Sequence, residues 1–265
     1  MIIIVTGASS GFGSMIKEEL CREGHTVYGT SRRADGSDPY MLRLDVTDAA
    51  QAQSVVDIVL EREGRVDVLV NNAGMGVGGA AELATVEEVK LQMDTNFTGV
   101  TNMCRAVLPA MRRQRSGRII NMSSIAGRFA VPFQGLYSAS KFAVEGYSQA
   151  LQIETYKLGI KVVCVNPGDF KTGFTSQRII NEASLTDKDY AASFESVKRN
   201  IERDEQNGGD PRMVARRVAG IVKTPHPRFH YIVASDPLQA VAVFLSVILP
   251  KRFFFWILRL FYSCK

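Results

Sequence analysis

Tyr137 and Lys141 are the side chains in this sequence whose types and spacing best suit proton transfer. They lie four residues apart, so a helix would place both on one face. A phenol has an ordinary pKa of about 10, and a neighbouring ammonium group favours its ionised form. We therefore expect Lys141 to lower the pKa of Tyr137, which would donate a proton to a developing alkoxide or accept one from an alcohol.

A glycine-rich loop follows the first apolar run of the chain. It reads Thr-Gly-Ala-Ser-Ser-Gly-Phe-Gly and leads into a stretch with helical spacing. Glycines in such a loop allow a tight turn, close approach of the backbone to a pyrophosphate and close helix–strand packing. The N-terminus of the following helix would present free N–H groups to the phosphates. The candidate dinucleotide-binding residues of the loop are Gly7, Ser9, Ser10, Gly11, Phe12 and Gly13.

Short apolar runs alternate with longer stretches of helical spacing along the whole chain. The apolar runs lie at 2–6, 26–30, 40–44, 66–70, 117–122 and 160–165, with a weaker one at 229–234. The helical stretches include 14–23, 48–63, 85–114 and 135–158. This alternation predicts an α/β fold with a doubly wound parallel sheet of the Rossmann type, formed by a single domain over 1–265. Ligands of such a fold lie beyond the carboxyl ends of the strands.

The composition argues against several other classes of protein. The 265 residues are 46% hydrophobic and 22% charged, which is typical of a soluble globular chain. The net charge is +5, but the Lys and Arg residues are dispersed, so we expect no nucleic-acid partner. We expect no metal site and no disulfide framework, because the histidines lack nearby ligand partners and the cysteines are far apart. The first apolar run is too short for a signal or a membrane span, which favours a reducing cytoplasm. The cysteines are Cys21, Cys104, Cys164 and Cys264.

Further motifs follow the glycine-rich loop, whose spacing is Gly-x3-Gly-x-Gly. They are Asn71-Asn72-Ala73-Gly74, Asn96, Ser123-Ser124, Tyr137-x3-Lys141 and Pro167-Gly168. In these motifs and their order the chain resembles the short-chain dehydrogenase/reductases from residue 2 to about 172, and more loosely to about 235. The resemblance implies hydride transfer between a nicotinamide cofactor and a carbonyl carbon. The implied catalytic residues are Asn96, Ser124, Tyr137 and Lys141.

The resemblance also implies a role for each of these residues. Ser124 would orient and polarise the substrate carbonyl. By its spacing in the sequence, Ser123 is the second candidate for this role. Asn96 would bend its helix and anchor a water that links Lys141 to solvent. Lys141 would also hold the nicotinamide ribose. The remaining expected cofactor contacts are Asp45, Val46, Asn72, Ala73, Gly74, Tyr137, Lys141, Pro167, Gly168 and Thr172.

Two arginines follow the second predicted strand and bear on the choice of cofactor. An NAD site usually has an acidic side chain at this position to bind the adenosine ribose. Arg32 and Arg33 would instead suit a 2′-phosphate, because a guanidinium group presents a planar fork of donors. Asp35 and Asp38 come too late in the sequence for the strand end. We therefore expect NADP(H).

The last third of the chain is expected to form the substrate side of the site. Residues 173–210 lose clear periodicity, and the corresponding stretch of the resembled family is a mobile lid. The C-terminal extension, 236–265, is mostly apolar, with Arg252, Arg259 and Ser263 on one helical side. Three interpretations stay open for it: a wall of the substrate pocket, an oligomer interface, or a helix lying in a membrane surface.

The expected function is an NADP(H)-dependent oxidoreductase acting on a lipophilic secondary alcohol or ketone. The C-terminal sequence resembles the branch of 17β-hydroxysteroid and retinol dehydrogenases, which favours a bulky substrate. A 3-oxoacyl-thioester reductase is one alternative, although such proteins typically end soon after the seventh strand. A non-catalytic NADP-sensing or scaffold protein is another, against which the complete Asn–Ser–Tyr–Lys group argues. Members of the resembled family are commonly dimers or tetramers, so we expect a homo-oligomer.

Overall fold

A parallel sheet of seven strands is the centre of this computed structural model, which describes residues 1–262. Ser263, Cys264 and Lys265 lie outside the described residues. The strands are β1 (Ile2–Val5), β2 (Thr26–Ser31), β3 (Met41–Arg43), β4 (Val68–Asn71), β5 (Val77–Gly78), β6 (Gly117–Met122), β7 (Ile160–Pro167), β8 (Ile179–Ile180) and β9 (His230–Val233).

The strand order of the sheet is β3-β2-β1-β4-β6-β7-β9, and β5 pairs separately with β8. Each predicted apolar run overlaps one strand of the main sheet, which confirms the doubly wound prediction. The strand β1 pairs with β2 on one side and with β4 on the other. The chain therefore changes winding direction at β1, and the carboxyl ends of β1 and β4 border the crevice where ligands of this fold bind.

Helices connect the strands and cover both faces of the sheet. They are α1 (Gly11–Arg22), α2 (Ala49–Glu63), α3 (Val86–Met93), α4 (Gly99–Gln114), α5 (Gly135–Thr155), α6 (Phe174–Gln177), α7 (Ala183–Thr186), α8 (Ala191–Gln206), α9 (Arg212–Lys223), α10 (Pro237–Ile248) and α11 (Lys251–Phe261).

Each face of the sheet has its own apolar core. On one face, Ile16 of α1 and Val218 of α9 pack with the side chains of β1, β4 and β7. On the other face, buried residues of α2, α4 and α5 pack together, including Val56, Met103 and Val144. Because the strands are covered on both sides, they are almost continuously apolar, as the sequence pattern indicated.

The predicted helix over 85–114 is interrupted. A π-helical turn at Asp94–Thr98 separates α3 from α4 and contains Asn96. One wide turn shifts the hydrophobic stripe only slightly, so helical periodicity does not reveal it. Asn96 therefore lies in an irregular turn between two helices, and its expected role stays a prediction.

The segment 173–210 contains more regular structure than its pattern indicated. The helix α8 occupies Ala191–Gln206, where no helix was predicted. It buries only a narrow stripe of Phe194, Val197 and Ile201, and the rest of its surface is strongly polar. A narrow stripe on a charged helix produces weak periodicity, which explains the omission.

The C-terminal extension forms two helices, α10 and α11, joined at Leu249 and Pro250. Their inner side chains Val243, Phe254 and Leu258 belong to a third apolar cluster. Within residues 1–262, no helix has the length and apolar character needed to cross a membrane.

Candidate functional site

The glycine-rich loop between β1 and α1 has a conformation that requires glycine. Gly7 and Gly11 adopt positive φ angles of 64° and 56°, which side-chain-bearing residues rarely adopt. A Cβ on Gly13 would lie 2.2 Å from the carbonyl oxygen of Gly7, so the helix could not start so close to the strand. The loop is thus shaped for close backbone approach, as a dinucleotide-binding loop requires.

The N-terminus of α1 is left open toward the crevice. Ser10 occupies the N-cap position but its side chain makes no capping hydrogen bond, and the first turn has no acidic residue. Ser9 and Ser10 are exposed, and Phe12 packs edge-on against Phe170. Free N–H groups at the positive end of a helix dipole suit an anionic ligand.

The segment after β4 holds the glycine-rich loop in place. The Thr6 hydroxyl accepts hydrogen bonds from the backbone N–H groups of Asn72 and Ala73, at 2.9 and 3.0 Å. The Asn72 side chain donates to the carbonyl oxygens of Thr6 and Gly7, at 2.9 and 3.2 Å. The two predicted motifs therefore form one hydrogen-bonded unit, and Gly74 follows it beside Asn96 and Lys141.

The arginines after β2 are free to meet a ligand. Arg32 and Arg33 are exposed, and their side chains make no ion pair or hydrogen bond with any residue of 1–262. The neighbouring carboxylates are engaged: Asp35 accepts from Ser37 at 2.7 Å, and Asp38 forms an ion pair with Lys17 at 3.1 Å.

Asp45 and Val46 follow β3 at the same edge of the sheet. The Asp45 carboxylate accepts hydrogen bonds from the backbone and side chain of Thr47, at 3.0 and 2.8 Å. Asn102 of α4 donates to the carbonyl oxygen of Val46 at 3.0 Å. These bonds fix the backbone of the pair, and Val46 is buried against Gly99.

Ser124 and Tyr137 meet at the carboxyl end of β6. The Ser124 hydroxyl accepts from the Ala126 N–H at 3.1 Å and also lies within hydrogen-bonding reach of the Tyr137 phenol. Burial raises the pKa of Tyr137 to about 12, although the Ser124 hydrogen bond acts in the opposite direction. Ser123, the second candidate by spacing, is buried within the sheet, where its N–H bonds to Val165.

Lys141 lies one turn beyond Tyr137 on α5, but it does not bond to the phenol. Its Nζ donates to the carbonyl oxygen of Met122 at 2.9 Å and lies 5.6 Å from the centre of the Tyr137 ring. Burial lowers the pKa of Lys141 to about 8, opposed by the charge of Glu145. The predicted lowering of the Tyr137 pKa is therefore wrong for this structure, because desolvation outweighs the distant ammonium group.

Asn96 ties the π-helical turn to the chain after β4. Its Oδ1 accepts from the Met75 N–H at 2.9 Å, and its Nδ2 donates to the Met75 carbonyl at 2.9 Å. Nδ2 also donates to the hydroxyl of Ser140 on α5 at 3.0 Å. The amide thus joins the turn that precedes Gly76 to the helix that carries Lys141.

The segment after β7 closes the other side of the crevice. Pro167 ends β7, Gly168 donates its N–H to Val233 at 2.9 Å, and the Thr172 hydroxyl accepts from the Phe174 N–H at 3.3 Å. A Cβ on Gly168 would lie 1.8 Å from the Gln239 side chain, so the glycine permits the contact with α10.

Asp169 and Gln239 are site residues that the sequence analysis missed. Gln239 accepts from the Asp169 N–H at 3.2 Å and donates to its carboxylate at 2.6 Å. Burial and the charge of Glu205 raise the pKa of Asp169 to about 7. The pair lies 70 positions apart in the chain, and a glutamine in an apolar helix gives no signal of such a partner.

Apolar side chains surround the Tyr137 phenol on the substrate side. The ring of Phe174 lies 5.6 Å from that of Tyr137, and the third apolar cluster includes Tyr137 at its edge. Members of this cluster come from the segment after β6, from α8 and from both C-terminal helices. In the segment 173–210, Ile179 and Leu185 are exposed, whereas Phe194 is buried.

Comparisons with known proteins identify relatives over the whole chain. The family model for short chain dehydrogenases matches residues 1–183. A 3-ketodihydrosphingosine reductase of Bacteroides thetaiotaomicron is 49% identical over 100% of this chain and 98% of its own length. A short-chain dehydrogenase from Streptomyces avermitilis superposes with a TM-score of 0.82 at 33% identity, covering 93% of each chain. A Burkholderia phymatum short chain dehydrogenase/reductase in complex with NAD has a TM-score of 0.79 at 25% identity, covering 92% of each chain.

Proposed function

The chain belongs to the short-chain dehydrogenase family, and from this premise we propose that it is an NADPH-dependent reductase of a long-chain lipid ketone such as 3-ketodihydrosphingosine. As a member of this family it is an oxidoreductase that acts on carbonyl or hydroxyl groups. The observation that carries the substrate proposal is the full-length match to the Bacteroides reductase, which extends over the apolar C-terminal helices. The apolar cluster around Tyr137 gives the same indication, since a long-chain ketone needs a hydrophobic pocket.

The preference for NADPH over NADH is argued from this chain's own residues. The glycine-rich loop and the open N-terminus of α1 fit a pyrophosphate. Arg32 and Arg33 lie beside the position of the adenosine ribose in this fold, and neither is engaged elsewhere in 1–262. No free carboxylate competes for the ribose hydroxyls, because Asp35 and Asp38 are occupied. A 2′-phosphate would pair with these guanidinium groups.

In the proposed reaction the ketone and NADPH, with one proton, give a secondary alcohol and NADP⁺. The bound nicotinamide supplies the hydride that the carbonyl carbon receives. Ser124 donates a hydrogen bond to the carbonyl oxygen, and Tyr137 donates its phenolic proton to the developing alkoxide. The raised pKa of Tyr137 keeps the phenol protonated at neutral pH, which suits the reductive direction. Lys141, whose pKa burial lowers to about 8, would supply the proton that restores the phenol, although its Nζ bonds to the Met122 carbonyl and not to Tyr137.

The other expected residues take supporting roles in this proposal. Asn96 positions the backbone at Met75 and the helix that carries Lys141. Asp45 and Val46 would contact the adenine, and Asn72, Ala73 and Gly74 would line the cofactor crevice beside the glycine-rich loop. Pro167, Gly168 and Thr172 would contact the nicotinamide. We assign 173–210 the role of a lid, since Phe174 already covers the ring of Tyr137.

Three further candidates remain for the same fold. A steroid or retinoid alcohol would also fill an apolar pocket, and a 3-oxoacyl thioester would use the same four catalytic residues. A non-catalytic NADP sensor would bind the cofactor without turnover. The full-length relative favours the long-chain ketone over these.

The proposal is tested by following the oxidation of NADPH, and separately of NADH, by the purified protein. The panel holds 3-ketodihydrosphingosine in mixed micelles, acetoacetyl thioesters, and steroid and retinoid carbonyls. We expect the highest kcat/KM for 3-ketodihydrosphingosine with NADPH. Preferential turnover of a thioester or a steroid would replace the substrate assignment, and tight NADPH binding without any turnover would favour the sensor.

A further inference from the structure

The outward side of the two C-terminal helices is an exposed apolar surface. Nine large apolar side chains of α10 and α11 are more than half exposed. We call the six that lie on one side of each helix the tail face: Phe244, Val247, Ile248, Phe253, Trp256 and Leu260. The helix α10 carries no charged residue, and its solvent-exposed side chains are all apolar. An apolar patch spread over two adjacent helices is unusual on a protein surface and marks an interaction site.

The two helices that carry the tail face contain basic residues but no acidic ones. Residues 237–262 contain three basic residues and no acidic one. Arg252 and Arg259 lie seven positions apart, two turns along one side of α11, and neither makes an ion pair or hydrogen bond within 1–262. Lys251 differs, since its Nζ donates to the Ser246 carbonyl at 3.1 Å and closes the corner between the helices.

This charge pattern distinguishes between two kinds of partner. A second copy of the chain, related by a two-fold axis, would place the same arginines near each other across the interface. The tail face has no carboxylate to compensate them. A bilayer with anionic headgroups offers both an apolar interior and negative charge, and a helix with an aromatic apolar face and a basic border lies in such a surface.

The inner side of the same helices reaches the candidate active site. Val243, Phe254 and Leu258 pack in one cluster with Ile125 and with the edge of Tyr137. The tail face is therefore about one helix diameter, roughly 10 Å, from the apolar surroundings of the phenol.

We propose that the tail face docks the protein onto the surface of an anionic phospholipid bilayer, from which a lipid ketone reaches Tyr137 without crossing water. Docking itself is independent of the enzymatic assignment, whereas delivery of the ketone rests on the proposed function. Since no helix of 1–262 is fit to span a bilayer, the contact would lie in the plane of the surface.

The test is co-sedimentation of the full chain with vesicles of phosphatidylcholine, with and without about 30% phosphatidylglycerol, whose anionic headgroups give the surface a negative potential. We expect binding to the anionic vesicles that weakens as salt rises. The double variant Phe253→Ser/Trp256→Ser should lose binding to the anionic vesicles and any binding to the neutral ones. In Arg252→Gln/Arg259→Gln the affinity for anionic vesicles should fall about 30-fold, which is about fivefold per cation. The affinity for neutral vesicles should not change.

A matched control removes exposed apolar surface elsewhere. Ile153→Ser/Tyr156→Ser, at the end of α5, changes two side chains as exposed as those of the tail face and should bind like the wild type. Failure of the wild type to bind, or equal binding by Phe253→Ser/Trp256→Ser, would overturn the proposal. A wild-type dimer that this variant converts to a monomer in sedimentation velocity would also overturn it, since the face would then join two copies.

Activity separates docking from the proposed function. If docking delivers the ketone, turnover of a ketone embedded in anionic vesicles should fall at least tenfold in Phe253→Ser/Trp256→Ser. Turnover of a water-soluble ketone by the same variant should stay unchanged. Vesicle binding without turnover of any ketone would contradict the proposed function alone. Turnover of the embedded ketone without vesicle binding would contradict the docking alone.

Discussion

At the scale of single residues, burial sets the proton affinities at the centre of the candidate site. Desolvation disfavours charge, so it raises the pKa of the Tyr137 phenol and lowers that of the Lys141 ammonium group. Both shifts favour the neutral forms of the pair. A phenol that stays protonated at neutral pH suits the role of proton donor that we propose for Tyr137 in ketone reduction.

Replacing Tyr137 by Phe removes that proton while keeping the ring that packs against Phe174. We expect kcat to fall by about 10²- to 10⁴-fold, the usual contribution of general acid catalysis. The dissociation constant for NADPH, measured by fluorescence titration, should stay near the wild-type value. Tyr147→Phe removes a hydroxyl from the same helix away from the crevice and should leave kcat nearly unchanged. Substantial activity in Tyr137→Phe would remove the phenol from the mechanism.

The arginines after β2 give a second prediction at this scale. The double variant Arg32→Ala/Arg33→Ala should weaken NADPH binding by about 10- to 150-fold, since charge-assisted hydrogen bonds to the 2′-phosphate are lost. NADH lacks that phosphate, so its affinity should not fall. Arg65→Ala, on an exposed arginine paired with Asp67, serves as the control for general loss of positive charge. An equal loss for both cofactors would contradict the assignment.

Asp169 predicts how stability depends on pH. Its folded-state pKa is about 7, against an ordinary value of 3.8, so the folded protein keeps a proton that the unfolded chain releases between these values. The stability contributed by this group is therefore present below pH 3.8 and is lost as the pH rises to about 7. In Asp169→Asn that loss disappears, so the variant should gain in Tm relative to the wild type between pH 4.5 and pH 8. An identical pH profile of Tm in both proteins would show that the carboxyl titrates normally.

At the scale of elements, Gln239 connects α10 to the segment after β7. Its side chain satisfies both the N–H and the carboxylate of Asp169. In Gln239→Ala the Asp169 N–H loses its partner, which costs about 1–3 kcal/mol where the group is shielded from water. We expect faster amide exchange in a peptide covering 167–173, measured by mass spectrometry. The control is Gln53→Ala, whose side chain bonds only to Asp57 on the surface of α2. Unchanged exchange in Gln239→Ala would mean that α10 does not restrain the segment.

The elements divide into those that the sequence predicts and those that it does not. The strands were predictable because β1, β4 and β7 are rich in Val, Ile and Leu, a signal that burial on both faces produces. The short chemical motifs also located the site, since their spacing is local. The contact between Asp169 and Gln239, the helix α8 and the direction of the Tyr137 pKa shift depend on distant packing. No local pattern carries that information.

At the scale of the whole molecule, the C-terminal helices belong to the folded body and are not an appendage. The third apolar cluster contains residues of α8, α10 and α11 together with Ile125, Phe129 and Val131 after β6. Phe254 is 1% exposed and its ring lies 5.5 Å from that of Phe129 in an edge-on contact. The same two helices therefore have an inner side that stabilises the region of the active site and an outer side that the fold leaves uncovered.

This two-sided arrangement predicts that two aromatic residues only two positions apart contribute very differently to the free energy of unfolding. Phe254→Ala should lower the free energy of unfolding of the whole domain by about 3–5 kcal/mol, because it leaves a cavity in a shared cluster. Trp256→Ala, on the tail face, should change it by no more than about 0.5 kcal/mol, as for most surface positions. Urea unfolding followed by far-UV circular dichroism, which is dominated by the helices of the body, measures both. If Phe254→Ala left the main transition in place and only added a small early one, the C-terminal helices would be a separate unit that melts independently. A shift of the entire transition to lower urea would instead mean that the inner contacts of α11 stabilise the whole domain. The same cooperative unit then contains Ser124 and Tyr137.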